Sequence, residues 1–235
     1  MIEDINPDYE LHSVCNCLDE LKLIRKIAGT VAHEVRNSLS IVRGQLQLLE
    51  GNNQLKKYHE KVETMITEID RAAEILTELL HMSKPSRAKL EKQNVNQILH
   101  QLYQLLQAEA LINLQEVIYE LEDIPDVMLD KKRFRQVVLN LVNNGLQAMN
   151  EHKKITIRTF ARDGKVYFVV KDQGGGIPPE VLNKLGTPFV TTKAGGTGLG
   201  LAASYQIIAE HKAGIQVDSG SDGTTFTIIF DEAVS

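Results

Sequence analysis

The sequence predicts two domains, an all-α helical hairpin that forms a four-helix bundle on dimerisation and, behind it, an α+β sandwich. Three observations carry that expectation. Two apolar stripes at heptad-like spacing fill the chain up to residue 83, a charged stretch with a proline follows, and beyond it helical patterns alternate with period-two runs that flank Asp and Gly turns. The boundaries read from these features are an N-terminal segment 1–17, a hairpin domain 18–83, a linker 84–92 and a sandwich domain 93–235.

In the first helix the apolar residues fall at Leu21, Ile24, Ala28, Val31, Val35, Leu39, Val42, Leu46 and Leu49, steps of three or four that place them on one face. Two steps of four follow each other from Val31 to Leu39. An insertion of that kind locally unwinds a coiled coil, and it coincides with His33. Gly51, Asn52 and Asn53 stop the helix. A second stripe runs through Tyr58, Val62, Met65, Ile69, Ala72, Leu76 and Leu79. Two amphipathic helices cannot cover each other's stripes fully, so pairing two hairpins is the economical way to bury them.

KPSRAKLEK (84–92) has no apolar period and reads as a linker. A helical pattern then runs through Ile98, Leu102, Leu105, Leu106 and Ala110. It is followed by a strand-like stretch at Val117–Leu121 and a helix from Asp130, an N-cap residue type, to about Met149. ITIRTF and VYFVVKD flank Asp163-Gly164, and IQVDS and TTFTIIF flank a second Asp and Gly turn, so both pairs read as hairpins.

Composition narrows the function. The 235 residues are 43% hydrophobic and 24% charged, which fits a folded globular chain. A net charge of -5 spread along the length leaves no basic stripe for nucleic acid. Cys15 and Cys17 form neither a disulfide framework nor a four-ligand zinc spacing. No apolar run approaches the roughly 20 residues of a membrane span and MIEDINPDYELHS is no signal peptide, so a cytoplasmic location is expected, with any membrane attachment through a sensor region upstream of this chain.

The residues that carry chemistry are scattered. His33 in AHEVRNSLS points away from the stripe of Val31 and Val35, and Thr30, Arg36 and Asn37 share its face with Glu34 beside it. An exposed imidazole that is neutral at the attacking nitrogen is a nucleophile, and a neighbouring carboxylate can take its other proton. In NLVNNGLQAM, Asn140 and Asn144 lie four apart on one helical face, and carboxamide oxygens suit a hard cation such as Mg²⁺. DQGGGI, opening at Asp172, follows an apolar strand. Its glycines let backbone approach a planar ligand while the aspartate can accept from an exocyclic amine. TPFVTTK then leads into AGGTGLGL, a glycine-rich opening to a helix whose free amides suit phosphate and which can serve as a mobile lid. No Walker loop is present, and the strand order of a Rossmann unit is missing.

Taken in order, these segments resemble the histidine kinase family. AHEVRN resembles its H box, NLVNNGLQAM its N box, DQGGGI its first glycine box, PFVTTK its F box, GTGLGL its second glycine box and DGTTF the close of its last hairpin, over Leu18 to the C-terminus. The resemblance implies a HisKA-type dimerisation and phosphotransfer hairpin joined to an ATP-binding domain of the GHKL, or Bergerat, type shared with gyrase, heat-shock chaperones and mismatch-repair ATPases. It implies that His33 receives a phosphoryl group from Mg-ATP and passes it to an aspartate of a response-regulator receiver domain. Glu34 would activate the histidine, and Asn37 would align water for a phosphatase reaction on the regulator. Asn144 would hold Mg²⁺ with Asn140 in support, Asp172 would receive the adenine amine, and Gly174 and Gly176 would shape the base pocket. Lys193, Gly196, Gly198, Leu199 and Gly200 would form the lid over the phosphates. It also implies a homodimer through the hairpin and inhibitor proteins that bind the helical bundle. The first helix is similar to that of the sporulation sensor kinases of spore-forming bacteria, which would make the acceptor a single-domain regulator of a phosphorelay.

Three positions depart from the family pattern. Ser38 stands where a proline is frequent. Gln147 stands where a lysine is frequent, which shifts phosphate neutralisation toward Lys193. Gly145 replaces an alanine, a swap expected to cost up to about 1 kcal/mol of helix propensity without touching the chemistry. The alternative reading is a GHKL-type ATPase or clamp without histidine phosphorylation, although such enzymes carry a glutamate where Asn140 stands.

Overall fold

In the computed structural model, which describes residues 35, 39–47, 49, 58–83, 88–193 and 196–233, residues 39–47 are helical and α1 spans His59–Ser83. Glu60 in its first turn complements the helix dipole. Val62 of the second stripe is buried, Ile69, Ala72 and Leu76 are half-buried, and Met65 is exposed. An ion pair of Arg43 Nε with Asp70 Oδ1 at 2.6 Å brings residues 39–47 alongside α1. His33, Glu34, Asn37 and Ser38, and with them the register break, lie outside the described residues. Among the described residues no helix is long and apolar enough to cross a membrane.

The chain divides into two units, residues 1–85 and 86–235. The second opens earlier than the sequence suggested. Glu91 and Lys92, within the stretch read as linker, join Gln93 in strand β1 (Glu91–Gln93), antiparallel to β3 (Val127–Leu129). EKQ gave no strand signal because two of its three side chains face solvent, so no apolar alternation marks it.

Next come α2 (Val95–Ile112), β2 (Glu116–Leu121), α3 (Lys131–Ala148), β4 (Lys154–Arg162), β5 (Lys165–Lys171), the short α4 (Pro179–Leu182), α5 (Gly200–Glu210), β6 (Gly214–Gly220) and β7 (Gly223–Asp231). The main sheet has the order β2-β4-β5-β7-β6. Four of its strands pair antiparallel, and β2 runs parallel to β4, because the chain between them crosses over through β3 and α3. Asp163 and Gly164 both take positive φ, 52° and 73°, which makes the β4–β5 connection the primed two-residue turn that matches strand twist.

One face of the sheet carries the core. Ile155, Ile157, Val166, Phe168, Ile228 and Phe230 alternate inward, and α2, α3 and α5 contribute to the same apolar cluster. Phe134 of α3 meets Phe168 and Phe230 edge-on, with centroids 5.3 and 5.7 Å apart. Each such fully buried apolar side chain contributes about 1.5–3 kcal/mol, and truncating one (Leu141→Ala) costs about 2–5 kcal/mol.

Candidate functional site

The site is built around α3. Asp130 caps its start by accepting from the amides of Lys132 (3.0 Å) and Arg133 (3.2 Å). These bonds and the nearby Arg133 charge outweigh partial burial and hold the Asp130 carboxyl below the usual range. Phe134, Val137, Val138, Leu141, Val142 and Leu146 turn the apolar stripe of α3 into the core. That packing leaves Asn140, Asn144 and Gln147, at i, i+4 and i+7, on a separate face. The end of α3 is secured at long range, because buried Gln115 donates its side-chain amide to the carbonyls of Leu146, Met149 and Asn150.

Asp172 follows β5 and is only 5% exposed. Its backbone amide continues the ladder to Thr224 O at 2.9 Å, and its Oδ1 accepts from the amides of Gly174 (2.7 Å) and Thr224 (3.1 Å). With Oδ1 taken by both amides, Oδ2 is left as the acceptor for a ligand donor. Burial raises the pKa of Asp172, against the pull of those two amides and of Lys153 and Lys193.

The glycines beside it have steric reasons. A Cβ at Gly174 would stand 2.9 Å from Ala148 O, and one at Gly176, whose φ is +78°, would stand 2.2 Å from Gly220 O. Gly145 corrects an expectation made above. A Cβ there would meet Ile155 Cδ1 at 2.6 Å and Asp172 Cβ at 3.1 Å, so this glycine sets how closely α3 approaches the aspartate and is more than a helix-propensity matter. Ser219 and Thr224 had not been singled out by their own chemistry. Ser219 Oγ accepts from Ile177 N (2.8 Å) and pairs with Thr224 Oγ1 (2.9 Å), which ties the glycine turn to the last hairpin and positions Asp172. The DGTTF sequence was the available signal.

The segment between α4 and α5 is organised by local turns. Phe189, 55% exposed with φ +66°, donates its amide to Gly198 O at 3.1 Å, and Gly198 has φ +67° with no room for a Cβ against the Phe189 backbone. Gly196 packs on Thr191 Oγ1. Leu199 is fully buried and precedes α5, whose start has no side-chain cap; its own amide donates to Thr197 Oγ1 at 3.2 Å. Asn140 Nδ2 donates to Gly200 O (2.9 Å) and Ser204 Oγ (3.3 Å), binding the first turn of α5 to α3.

Lys193 completes the arrangement. Its ammonium donates to Asn144 Oδ1 at 3.1 Å and Gln147 Oε1 at 2.7 Å. Burial lowers its pKa, an effect partly offset by the Asp172 carboxylate. An acidic acceptor for an amine, a carboxamide oxygen already facing a cation, and a helix start with free amides thus lie around one side of α3. That set fits a purine at one end and a cation-bound polyphosphate at the other.

Residues 129–234 match the model for histidine kinase-, DNA gyrase B-, and HSP90-like ATPases, and residues 23–88 match the His Kinase A phospho-acceptor domain. Sporulation kinase E of Bacillus subtilis (strain 168) is 34% identical over 97% of this chain and 31% of its own length. The catalytic domain of the histidine kinase ThkA is 31% identical over 61% of this chain and 95% of that one, with a TM-score of 0.56. ThkA in complex with the response regulator protein TrrA is 26% identical over 98% of this chain and 68% of that one, with a TM-score of 0.66. Full-length ShkA in complex with AMPPNP is 25% identical over 89% of this chain and 47% of that one, with a TM-score of 0.73. Fold and site define an ATPase domain of the kind that histidine kinases share with gyrase B and HSP90. The chain belongs to the histidine kinase family. It spans 31% to 49% of the length of the first curated relatives it matches.

Proposed function

We propose that this chain is the catalytic core of a two-component sensor histidine kinase, which phosphorylates His33 from Mg-ATP and passes the phosphoryl group to a receiver-domain aspartate. The observation that carries the reading is the grouping of Asp172, Asn144 and Lys193 around α3, in a chain that also matches the phospho-acceptor domain. Asp172 Oδ2 accepts the adenine amine, and Gly174 and Gly176 admit the base. Gly196, Gly198, Leu199 and Gly200 shape the approach to the phosphates, while Lys193 and the start of α5 meet their charge. Asn144 holds Mg²⁺ and Asn140 fixes the lid end of α5. Bound there, the metal supplies charge stabilisation to the transferring group and orients it.

The unprotonated imidazole nitrogen of His33 bonds to the γ-phosphorus, the bond to the β–γ bridging oxygen breaks, ADP leaves, and Glu34 takes the ring proton. In transfer to the regulator an aspartate carboxylate oxygen bonds to the phosphorus, the nitrogen–phosphorus bond to His33 breaks, and the imidazole leaves and regains its ring proton, while Asn37 aligns water for dephosphorylation. Dimerisation through the hairpin is supported by the exposure of Ile41 (64%), Val42 (44%), Leu49 (44%) and Met65 (52%), apolar side chains that a second copy would cover. The response regulator protein bound to ThkA supports a response regulator as acceptor, and the similarity to sporulation kinase E supports a sporulation regulator in particular.

Incubation with γ-labelled ATP tests the reading. Acid-labile, base-stable label that disappears in His33→Gln is expected. Hydrolysis of ATP with no label on the protein would overturn it in favour of an ATPase.

A further inference from the structure

The oxygen best placed for a metal is already holding a charge. Lys193 Nζ lies 3.1 Å from Asn144 Oδ1, 2.7 Å from Gln147 Oε1 and 3.5 Å from the Asn144 carbonyl. These acceptors come from adjacent turns of α3 and form a small cradle for one cation. The lysine is not a loose surface side chain. Its backbone amide donates to Thr191 Oγ1 (3.1 Å) and its carbonyl accepts from Gly196 N (3.1 Å), so its backbone is held from both sides.

A carboxamide oxygen is a hard donor whether it faces an ammonium or a divalent ion. Magnesium would sit about 2.1 Å from Asn144 Oδ1, so it and an ammonium left in its present place would lie within roughly 5 Å of each other. Two like charges that close, in a half-buried setting, disfavour each other strongly. Gln147 is the second acceptor within reach. It is neutral, so it holds the lysine without adding a charge beside the metal.

We infer that Asn144 Oδ1 is a shared ligand, taken in turn by the Lys193 ammonium and by the divalent cation that accompanies the nucleotide, with Gln147 as the positioning residue that retains the ammonium when the metal displaces it. The inference rests on the reading of Asn144 as the metal ligand. It makes Lys193 a built-in substitute cation. Without metal, the lysine neutralises the polyphosphate from the metal's own place; with metal, it moves toward Gln147 and the phosphate oxygens. Nucleotide and metal are therefore less strongly coupled in this protein than in a variant that lacks the lysine.

The test is the affinity of the full chain for ADP, measured by titration calorimetry in EDTA and in saturating magnesium. Lys193→Met should weaken metal-free binding far more than magnesium-bound binding, raising the ratio of the two dissociation constants by about tenfold. Gln147→Ala should instead lower it a few-fold, because the ammonium displaced by the metal then loses its second acceptor while the metal-free chain still holds it on Asn144. Equal weakening under both conditions would place the lysine beside the metal and overturn the inference. Asn144→Ala should bring the ratio toward one and make it insensitive to Lys193→Met. An undiminished ratio in Asn144→Ala would instead overturn the metal reading, and a wild-type chain that fails to bind ADP in magnesium would overturn the nucleotide reading beneath both.

Discussion

The two glycine-rich segments of the second unit look alike in sequence and are held in different ways. The first, after Asp172, is bound into the sheet. Gly176 lies against Gly220 O, Asp172 Oδ1 accepts from Thr224 N, Ile177 N donates to Ser219, and Gln173 receives Lys153 Nζ at its carbonyl and Lys154 N at its side chain. The second is stabilised by short-range turns and by a few side chains of α3, chiefly Asn140 on Gly200 O and Asn144 with Gln147 on Lys193. The contrast matches the roles proposed for them. A base pocket discriminates by fixed donors and acceptors, and glycines held by long-range bonds to a sheet suit that task. Phosphate enclosure needs a segment whose contacts can be exchanged for those of a ligand, so they are local and polar.

Asp172→Asn gives the sharpest break. An amide in place of the carboxylate can still accept from Gly174 and Thr224, but it turns a donor toward the adenine amine. ATP affinity should fall roughly 100-fold while the melting temperature barely changes. If affinity survived, the sheet-bound turn would not be the base pocket.

A matched pair of alanines separates the two segments next. Gly176→Ala forces a Cβ to 2.2 Å from Gly220 O at a φ of +78° and should lower domain stability by about 2–4 kcal/mol, read as an early melt. Gly198→Ala, at φ +67° against the Phe189 backbone, should instead raise the Km for ATP several-fold with a smaller change in melting. Equal losses of stability in both would erase the distinction.

Gly145→Ala comes third. The helix gains up to about 1 kcal/mol in propensity, but the new methyl presses on Ile155 Cδ1 and Asp172, so melting should move little while nucleotide affinity falls a few-fold. Adding Ile155→Val, which removes the crowded methyl, should restore the affinity.

The smallest effect is one of pH, at the other end of α5 from the lid. His211 is 7% exposed; its Nδ1 donates to Ile207 O at 2.6 Å and its Nε2 accepts from Asp130 N at 2.8 Å. Burial lowers its pKa, against the pull of Asp130 and alongside the push of Arg133, which itself pairs with Glu210. A histidine depressed in the folded state binds fewer protons there than in the unfolded chain. Its contribution is therefore present above about 6.5, the unfolded value, and is lost as pH falls through its lower folded value. The melting temperature should drop on acidification below pH of about 6, and His211→Gln should flatten that drop.

Much of this architecture could be read in advance where local chemistry repeats. The Asp130 cap and the 3.6-residue stripe marked α3, and Asp163-Gly164 marked a hairpin whose positive φ values the structure shows. β1 could not be read, since three mostly exposed residues on a sheet edge follow no pattern. Nor could the part played by Gln115, whose three carbonyl partners lie 31 to 35 residues away, or by Ser219, which serves a turn 42 residues earlier.

The sequence alone determined which residues share a helix face, where strands turn, and that the boxes stand in the order of a histidine kinase. Those features depend on periodicity and backbone preference within a few residues. Only the tertiary structure decided that Gly145 touches Asp172 and that Lys193 rests on the same oxygen of Asn144 that suits a metal. Such contacts join residues 27 to 49 positions apart, and their distances are set by how α3 packs on the sheet and on α5.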